Sequence, residues 1–343
     1  MNRNISFQTI KGFMMVMIIF GHTYFYIPEF SLKLGAVPSL LIYPLDFLSH
    51  TCIPCFFMIC GYGFRKRPLH ILMRNNVLPI LKAYLITSVI ILALHALRSY
   101  VVGREVLPAL LPRILSYVLM IAPQVMYFGM DIEGVGPMWF FCCLAFCSLL
   151  LNLILQIPDQ RGQSFICLAL CWLGNYLHQF PLPFCISQTF LCCGFMYLGY
   201  RVRQDRLLEK KLPWYFPAGA LLICLLICLK MPHRINFYLN LFPGGAGDII
   251  ACYLLGYVLM YYASFLDPLK GRLLDGLYWL GQNSFLVCCA HQVDFQGLPL
   301  RTFLLHFSQN ELLMDTVLFF IRLALCSFVT WLIILIGRRR LRS

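Results

Sequence analysis

Apolar residues run along this chain in blocks of about 20, long enough for a helix to cross a hydrocarbon layer. Blocks of this kind lie near 10–28, 43–63, 78–97, 137–156, 164–180, 184–200, 213–230, 247–266, 277–296 and 312–337. Because they recur from one end to the other, they read as separate spans and not as one soluble core. The pattern predicts an all-α polytopic transmembrane bundle of about ten helices, a single domain over residues 1–343 with no separate soluble domain. An eleventh stretch, EVLPALLPRILSYVLMIAP at 105–123, is apolar but is interrupted by Pro108 and Pro112 and carries Arg113 in its middle. It is expected to lie in the interface or to re-enter, not to cross.

Basic residues arbitrate orientation. With ten crossings and the N-terminus inside, the cytoplasmic side receives Arg65, Lys66, Arg67, Arg201, Arg203, Arg206, Lys210, Lys211, Lys270, Arg272 and the tail Arg338, Arg339, Arg340 and Arg342. The opposite loops after the disputed stretch hold only Lys230, Arg234 and Arg301. The positive-inside bias therefore predicts both termini in the cytoplasm. The first apolar block runs on without a small-x-small cleavage site, so it is expected to remain as a helix.

Composition agrees: 60% of the 343 residues are apolar and 12% charged, with a mean hydropathy of +0.77. The net charge of +13 sits in short loops and at the C-terminus, which reports membrane orientation and not nucleic acid. Most of the 17 cysteines lie inside apolar runs, where thiols act as small hydrophobes, so no disulfide framework is implied. The CxxC pair Cys52 and Cys55 has no nearby His/Cys cluster to complete a tetrahedral site, and no metal is expected.

Candidate chemistry begins in IKGFMMVMIIFGHTYF. Lys11 and His22 are eleven residues apart, about three helical turns with an offset of roughly 20°, so they share a face. About 16 Å separates them along the axis, which allows the ammonium to sit at the cytoplasmic interface while the imidazole lies inside the membrane. Two readings compete on geometry alone: an interface anchor plus a helix–helix hydrogen bond, or a functional pair. The stretch IPCFFMICGYGFRKR ends the second helix on the same side, and hairpin topology is expected to bring Arg65, Lys66 and Arg67 near Lys11, as a cationic mouth for a phosphate-rich ligand or as positive-inside anchors with nothing bound.

These blocks, with GPMWFF at 136–141, MYLGYRV at 196–202 and LGQNSFLVCCAH at 280–291, come in an order that resembles the acyltransferase 3 family, in particular its fucose 4-O-acetylase-like members. The resemblance covers nearly the whole chain. It implies about ten transmembrane helices with both termini inside. It also implies transfer of an acyl group, usually acetyl, from cytoplasmic acyl-CoA to hydroxyls of sugars or other envelope molecules. Carried over, His22 is the general base or a transient acyl carrier, and Lys11 stands where arginine is common. Lysine neutralises phosphate as a point charge, without a bidentate fork. Other departures are Cys60 where a serine is usual, Gln8 and Thr9 where an acidic residue is frequent, and Cys52 where a histidine often precedes the proline, His50 being displaced by two.

Second-rank candidates surround this pair. Ser284 and His291 lie seven apart on the ninth helix and share a face, with His291 close in depth to His22; Asn283 joins them if the helix unwinds at Gly281. Trp139 has two roles open to it, stacking on a sugar or membership of the aromatic belt. Asp46 and His50, four apart on the second helix, are spaced for one hydrogen-bonded pair, with a functional role (orienting His50 or shaping the acceptor site) competing with a purely structural one.

The expectation is a multi-pass inner- or plasma-membrane O-acyltransferase with acetyl-CoA or another acyl-CoA as co-substrate, no resident cofactor, a carbohydrate or envelope acceptor, the bilayer as partner and no nucleic acid. The rival readings are a proton-coupled transporter or flippase, in which His22, Asp46 and His291 relay protons, and a non-catalytic family member.

Overall fold

The computed structural model describes residues 3–24, 39–127, 129–180, 182–230, 235–263, 271–308 and 310–340. It is 80% helical, with a single antiparallel hairpin of Val125–Tyr127 (β1) and Met130–Ile132 (β2) as its sheet among the described residues. The main helices are α1 (Arg3–Tyr24), α2 (Ser39–Gly63), α3 (Leu69–Val101), α4 (Val106–Leu119), α5 (Trp139–Ile154), α6 (Gln160–Tyr176) and α7 (Ile186–Gln204). They continue with α8 (Tyr215–Lys230), α9 (Ala246–Ala263), α10 (Arg272–Gln282), α11 (Ser284–Gly297), α12 (Leu300–Leu305) and α13 (Glu311–Arg340). Helix takes up most of the described part of each of the ten apolar blocks, and the 277–296 block is two helices broken at Asn283.

Four helices among the described residues are long and apolar enough to cross a membrane: Leu69–Val101, Gly136–Ile154, Ala246–Ala263 and Glu311–Arg338. The first and last leave apolar faces uncovered, with Leu85, Ile86, Val89 and Ile90 on one and Phe320, Phe328, Trp331 and Ile333 on the other. Acyl chains can cover such surfaces without solvating them, which is how a membrane helix differs from a soluble one. At 14 residues, α4 is shorter than the ~20 that a perpendicular crossing needs. Pro112 lies inside it, and a left-handed Met120 ends it.

The chain forms two compact units, and the boundary falls within α2: Met1–Cys52 with Leu259–Ser343 make unit 1, and Ile53–Val258 make unit 2. In unit 1, α1 buries Phe7, Ile10, Met14, Met17, Gly21 and Tyr24 along one stripe and Met15, Ile19 and Thr23 along a neighbouring one, the 3.6-residue period of a helix held on a wide face. Its closest partner is α10. A Cβ added at Gly12 would overlap the Leu277 carbonyl, and one at Gly281 would overlap the Gln8 carbonyl, so both glycines are needed for the two backbones to meet.

Unit 2 uses the same device. A Cβ at Gly61 on α2 would strike the Met196 carbonyl on α7, and one at Gly199 on α7 would strike the Met58 carbonyl on α2. Its interior is filled by Phe57, Phe141, Phe195 and a set of buried thiols, Cys142, Cys143, Cys147, Cys185, Cys192 and Cys193. The Cys143 and Cys147 sulfurs are 3.8 Å apart, and the Cys147 thiol donates to the Thr189 carbonyl. Cys52 and Cys55 are likewise buried thiols, and Cys55 donates to the Gly256 carbonyl.

Candidate active site

The polar interior of unit 1 grows from three helices. α1 carries His22 and Thr23 in its last turn; α11 carries His291 and Asp294 three residues apart, hence on one face; α13 carries Arg322 in the middle of its apolar run. The His22 Nδ1 lies 2.8 Å from the His291 Nε2, and the two rings stack with centroids 5.1 Å apart and an interplanar angle of 15°. His291 Nδ1 faces Asp294 Oδ2 at 3.7 Å, too long for a hydrogen bond but within an ion-pair approach. Arg322 Nε is 3.3 Å from that same carboxylate oxygen. The Arg322 Nη1 donates to the Thr23 Oγ1 at 3.2 Å, and Thr23 donates to the Ile19 carbonyl. A chain that starts at His22 thus returns to the residue beside it.

Phe295 holds this ring from one side. Its aromatic face lies 4.9 Å from the His22 ring centroid and 5.3 Å from the Arg322 Cζ, a stacked contact and a cation–π contact on one side chain. His291, Asp294 and Arg322 are almost wholly buried, whereas His22 is half-buried, so the chain runs from a partly accessible imidazole into the interior. Charges at this depth are tolerated only when paired, and the Asp294–Arg322 pair meets that condition.

α13 explains how such groups are carried. Asp315, Leu318, Arg322, Cys326 and Thr330 are its buried positions, three or four residues apart and therefore on one stripe, while Phe320, Phe328 and Trp331 point outward. The helix is polar inside and apolar outside, as a lipid-facing helix should be. At its first turn Asp315 accepts from the Arg301 Nε at 2.9 Å, with Glu311 at 3.5 Å, which ties α12 to α13. Tyr24 donates to the Thr316 Oγ1 and ties α1 to the same end.

One ligating atom each from His291, Asp294 and Cys326 falls within 4.8 Å of the others, a spacing that a transition metal would accept. The Arg322 guanidinium already answers the Asp294 carboxylate, so a divalent ion here would sit beside a fixed positive charge. Asp294 and Arg322 form an ion pair here, while His291 Nδ1 and both Asp294 oxygens make no hydrogen bond among the described residues.

A family model described as an acyltransferase domain matches residues 4–336. The chain belongs to the acyltransferase 3 family. No curated protein and no solved structure matches it. The matched region of the acyltransferase spans both units.

The other residues expected at the site lie in both units. Lys11 lies on α1 in one unbroken helix with His22, half-buried, and both belong to unit 1. Arg65, Lys66 and Arg67 lie in unit 2, in the exposed segment after α2. That segment is held from beneath: Asn152 accepts from the Arg67 backbone N–H at 3.0 Å and donates to the Arg67 carbonyl at 3.1 Å, and the Arg203 guanidinium donates to the Tyr62 and Phe64 carbonyls at the end of α2. These two side chains shape the turn and leave the three basic side chains in solvent.

Asn283 is the break itself: its N–H and its side-chain amide both donate to the Trp279 carbonyl, and its own carbonyl starts α11 by accepting from Val287. The discontinuity falls two residues past the Gly281 position expected from the sequence. Ser284 is half-buried on the first turn of α11, two turns from His291. Trp139 opens α5 in unit 2 and is 3% exposed, its ring edge-on to Phe140 at 6.5 Å. The side chains of Asp46 and His50 lie outside the described residues.

Asp294, Arg322 and Asp315 were not singled out by sequence reasoning. Each is an ionisable residue within or at the end of an apolar run, which is itself a signal of a buried polar site.

Proposed function

We propose that the protein is a multi-pass membrane O-acyltransferase of about ten crossings with both termini in the cytoplasm. It moves an acyl group, acetyl first among candidates, from cytoplasmic acyl-CoA to a hydroxyl of a carbohydrate or related envelope component. The observation that carries this reading is the His22–His291 contact at 2.8 Å in a chain that belongs to an acyltransferase family. A sugar hydroxyl attacks a thioester slowly near neutral pH. A positioned imidazole, whose ordinary pKa lies in that range, is the natural acceptor for its proton.

The step balances without an outside reagent. The hydroxyl oxygen forms the new C–O bond to the acyl carbon as its proton passes to His22. Collapse of the tetrahedral intermediate breaks the C–S bond, and the CoA thiolate leaves with the proton returned from His22. In unit 1 Lys11 offers the CoA phosphates a point charge, and in unit 2 the exposed Arg65, Lys66 and Arg67 offer basic side chains of the same kind. Asn152 and Arg203 support this role for the segment after α2, since they fix its backbone and spare its basic side chains. The acceptor-side groups are Ser284 and Asn283 by this reading, since Trp139 is buried at 3% exposure.

Transfer of labelled acetyl from acetyl-CoA to envelope material, in membranes holding equal amounts of each protein, tests it. Wild type is expected to transfer; His22→Ala is expected to be silent; Lys11→Ala is expected to raise the KM for acetyl-CoA with a smaller effect on kcat. Equal transfer by wild type and His22→Ala would show that the imidazole is not the base.

A further inference from the structure

We infer that His291, Asp294 and Arg322 are positioning residues that hold His22 as its Nδ1–H tautomer, so that the lone pair resides on Nε2, where the acceptor's proton is taken. The inference rests on the acyl-transfer reading above and adds to it which nitrogen reacts and what selects it.

The tautomer follows from the chain of contacts. Between His22 Nδ1 and His291 Nε2, 2.8 Å apart, one nitrogen must carry a hydrogen and the other a lone pair. Which is which is decided one step further in. His291 Nδ1 faces the Asp294 carboxylate at 3.7 Å, and a lone pair directed at that charge is repelled while an N–H is attracted. His291 is therefore the Nδ1–H tautomer, its Nε2 is the acceptor, and His22 Nδ1 is the donor. His22 Nε2 then bears the lone pair.

Asp294 can act this way only while it is ionised in the interior of the unit. Arg322, with Nε 3.3 Å away, places a positive charge beside that carboxylate. The guanidinium is itself fixed at two further points, the Thr23 hydroxyl and the Phe295 ring, both on elements that also touch or carry His22. Rotation of the His22 ring would break the bond to His291 and the stack on Phe295 together, so ring orientation and tautomer are set by one group of contacts. The same geometry separates this arrangement from a metal centre. A metal bound at His291 Nδ1 would force the hydrogen onto His291 Nε2, make it donate to His22 Nδ1, and leave His22 Nε2 protonated and unable to take a proton.

Nitrogen-15 NMR of histidine-labelled full-length protein in lipid reads the tautomer directly, with the His22 signals assigned by their loss in His22→Asn. Neutral His22 is expected to carry its hydrogen on Nδ1 in wild type and to lose that preference in His291→Phe. In the acetyl-transfer assay, His291→Phe is expected to lower kcat about a hundredfold, within the range a positioned base contributes, with the KM for acetyl-CoA unchanged. His291→Gln keeps an acceptor oxygen for the His22 Nδ1–H and is expected to recover most of that loss, which a merely structural role would not predict. A wild-type His22 that is the Nε2–H tautomer overturns the inference. So does one bound transition-metal ion per chain that is lost in Cys326→Ser. Because the NMR reading needs no turnover, it stands or falls separately from the acyl-transfer assignment.

Discussion

The two units fill their interiors with different chemistry. Unit 1 buries His291, Asp294, Arg322 and Asp315, whereas among the described residues the buried polar groups of unit 2 are neutral apart from Asp248, which accepts from the Gly244 backbone N–H. In place of charge, unit 2 has thiols, Cys142, Cys143, Cys147, Cys192 and Cys193, which pack as small hydrophobes. Both units bring helices together through glycines against carbonyls, so the means of close packing is shared and only the contents differ. Buried charge is costly, and a small-residue seam suffices to hold helices. Close packing in unit 1 therefore does not require its Asp294–Arg322 pair.

Five sets of variants can break or sharpen that contrast. Arg322→Leu leaves Asp294 buried without its partner and is expected to cost about 3–5 kcal/mol, read as a fall in thermal unfolding temperature in detergent. The double variant Asp294→Leu with Arg322→Leu is expected to recover much of that stability but not the transfer activity; recovery of both would assign the pair to folding alone. Gly281→Ala drives a methyl into the Gln8 carbonyl and is expected to cost roughly 1–3 kcal/mol, with a similar loss for Gly61→Ala in unit 2. Lys11→Arg is expected to lower the KM for acetyl-CoA several-fold, because a guanidinium can hold phosphate with two parallel bonds. Smallest of all, Cys143→Ala is expected to cost about 1 kcal/mol of stability and to leave the transfer rate unchanged.

Much of this was legible in the sequence, and what was not has a physical reason. The described parts of the ten apolar blocks are largely helical, and four of those helices are long and apolar enough to cross a membrane, where a backbone with no water must satisfy itself internally. His22 and His291 could be named because each is an imidazole in an apolar block. Their contact joins residues 269 apart, and no periodicity within one helix could report it. Arg322 and Asp294 escaped notice for a different reason. Hydropathy averages over a whole span, and the α13 window stays strongly apolar even though its buried stripe holds Asp315, Arg322 and Thr330. Mapping polar residues at three- and four-residue spacing within the last block would have found that stripe. The break at Asn283 was anticipated near Gly281, but Gly281 is the close-contact residue and the amide of Asn283, bonded back to Trp279, ends the helix.

The contrast between the units comes to a single paired measurement: the initial rate of labelled acetyl transfer from acetyl-CoA to envelope material by His22→Ala and by Cys143→Ala with Cys147→Ala, in membranes matched for protein. If the chemistry lies in the polar chain of unit 1, the first is silent and the second stays near the wild-type rate. Transfer by His22→Ala at the wild-type rate, or its loss only in the cysteine variant, would contradict that assignment.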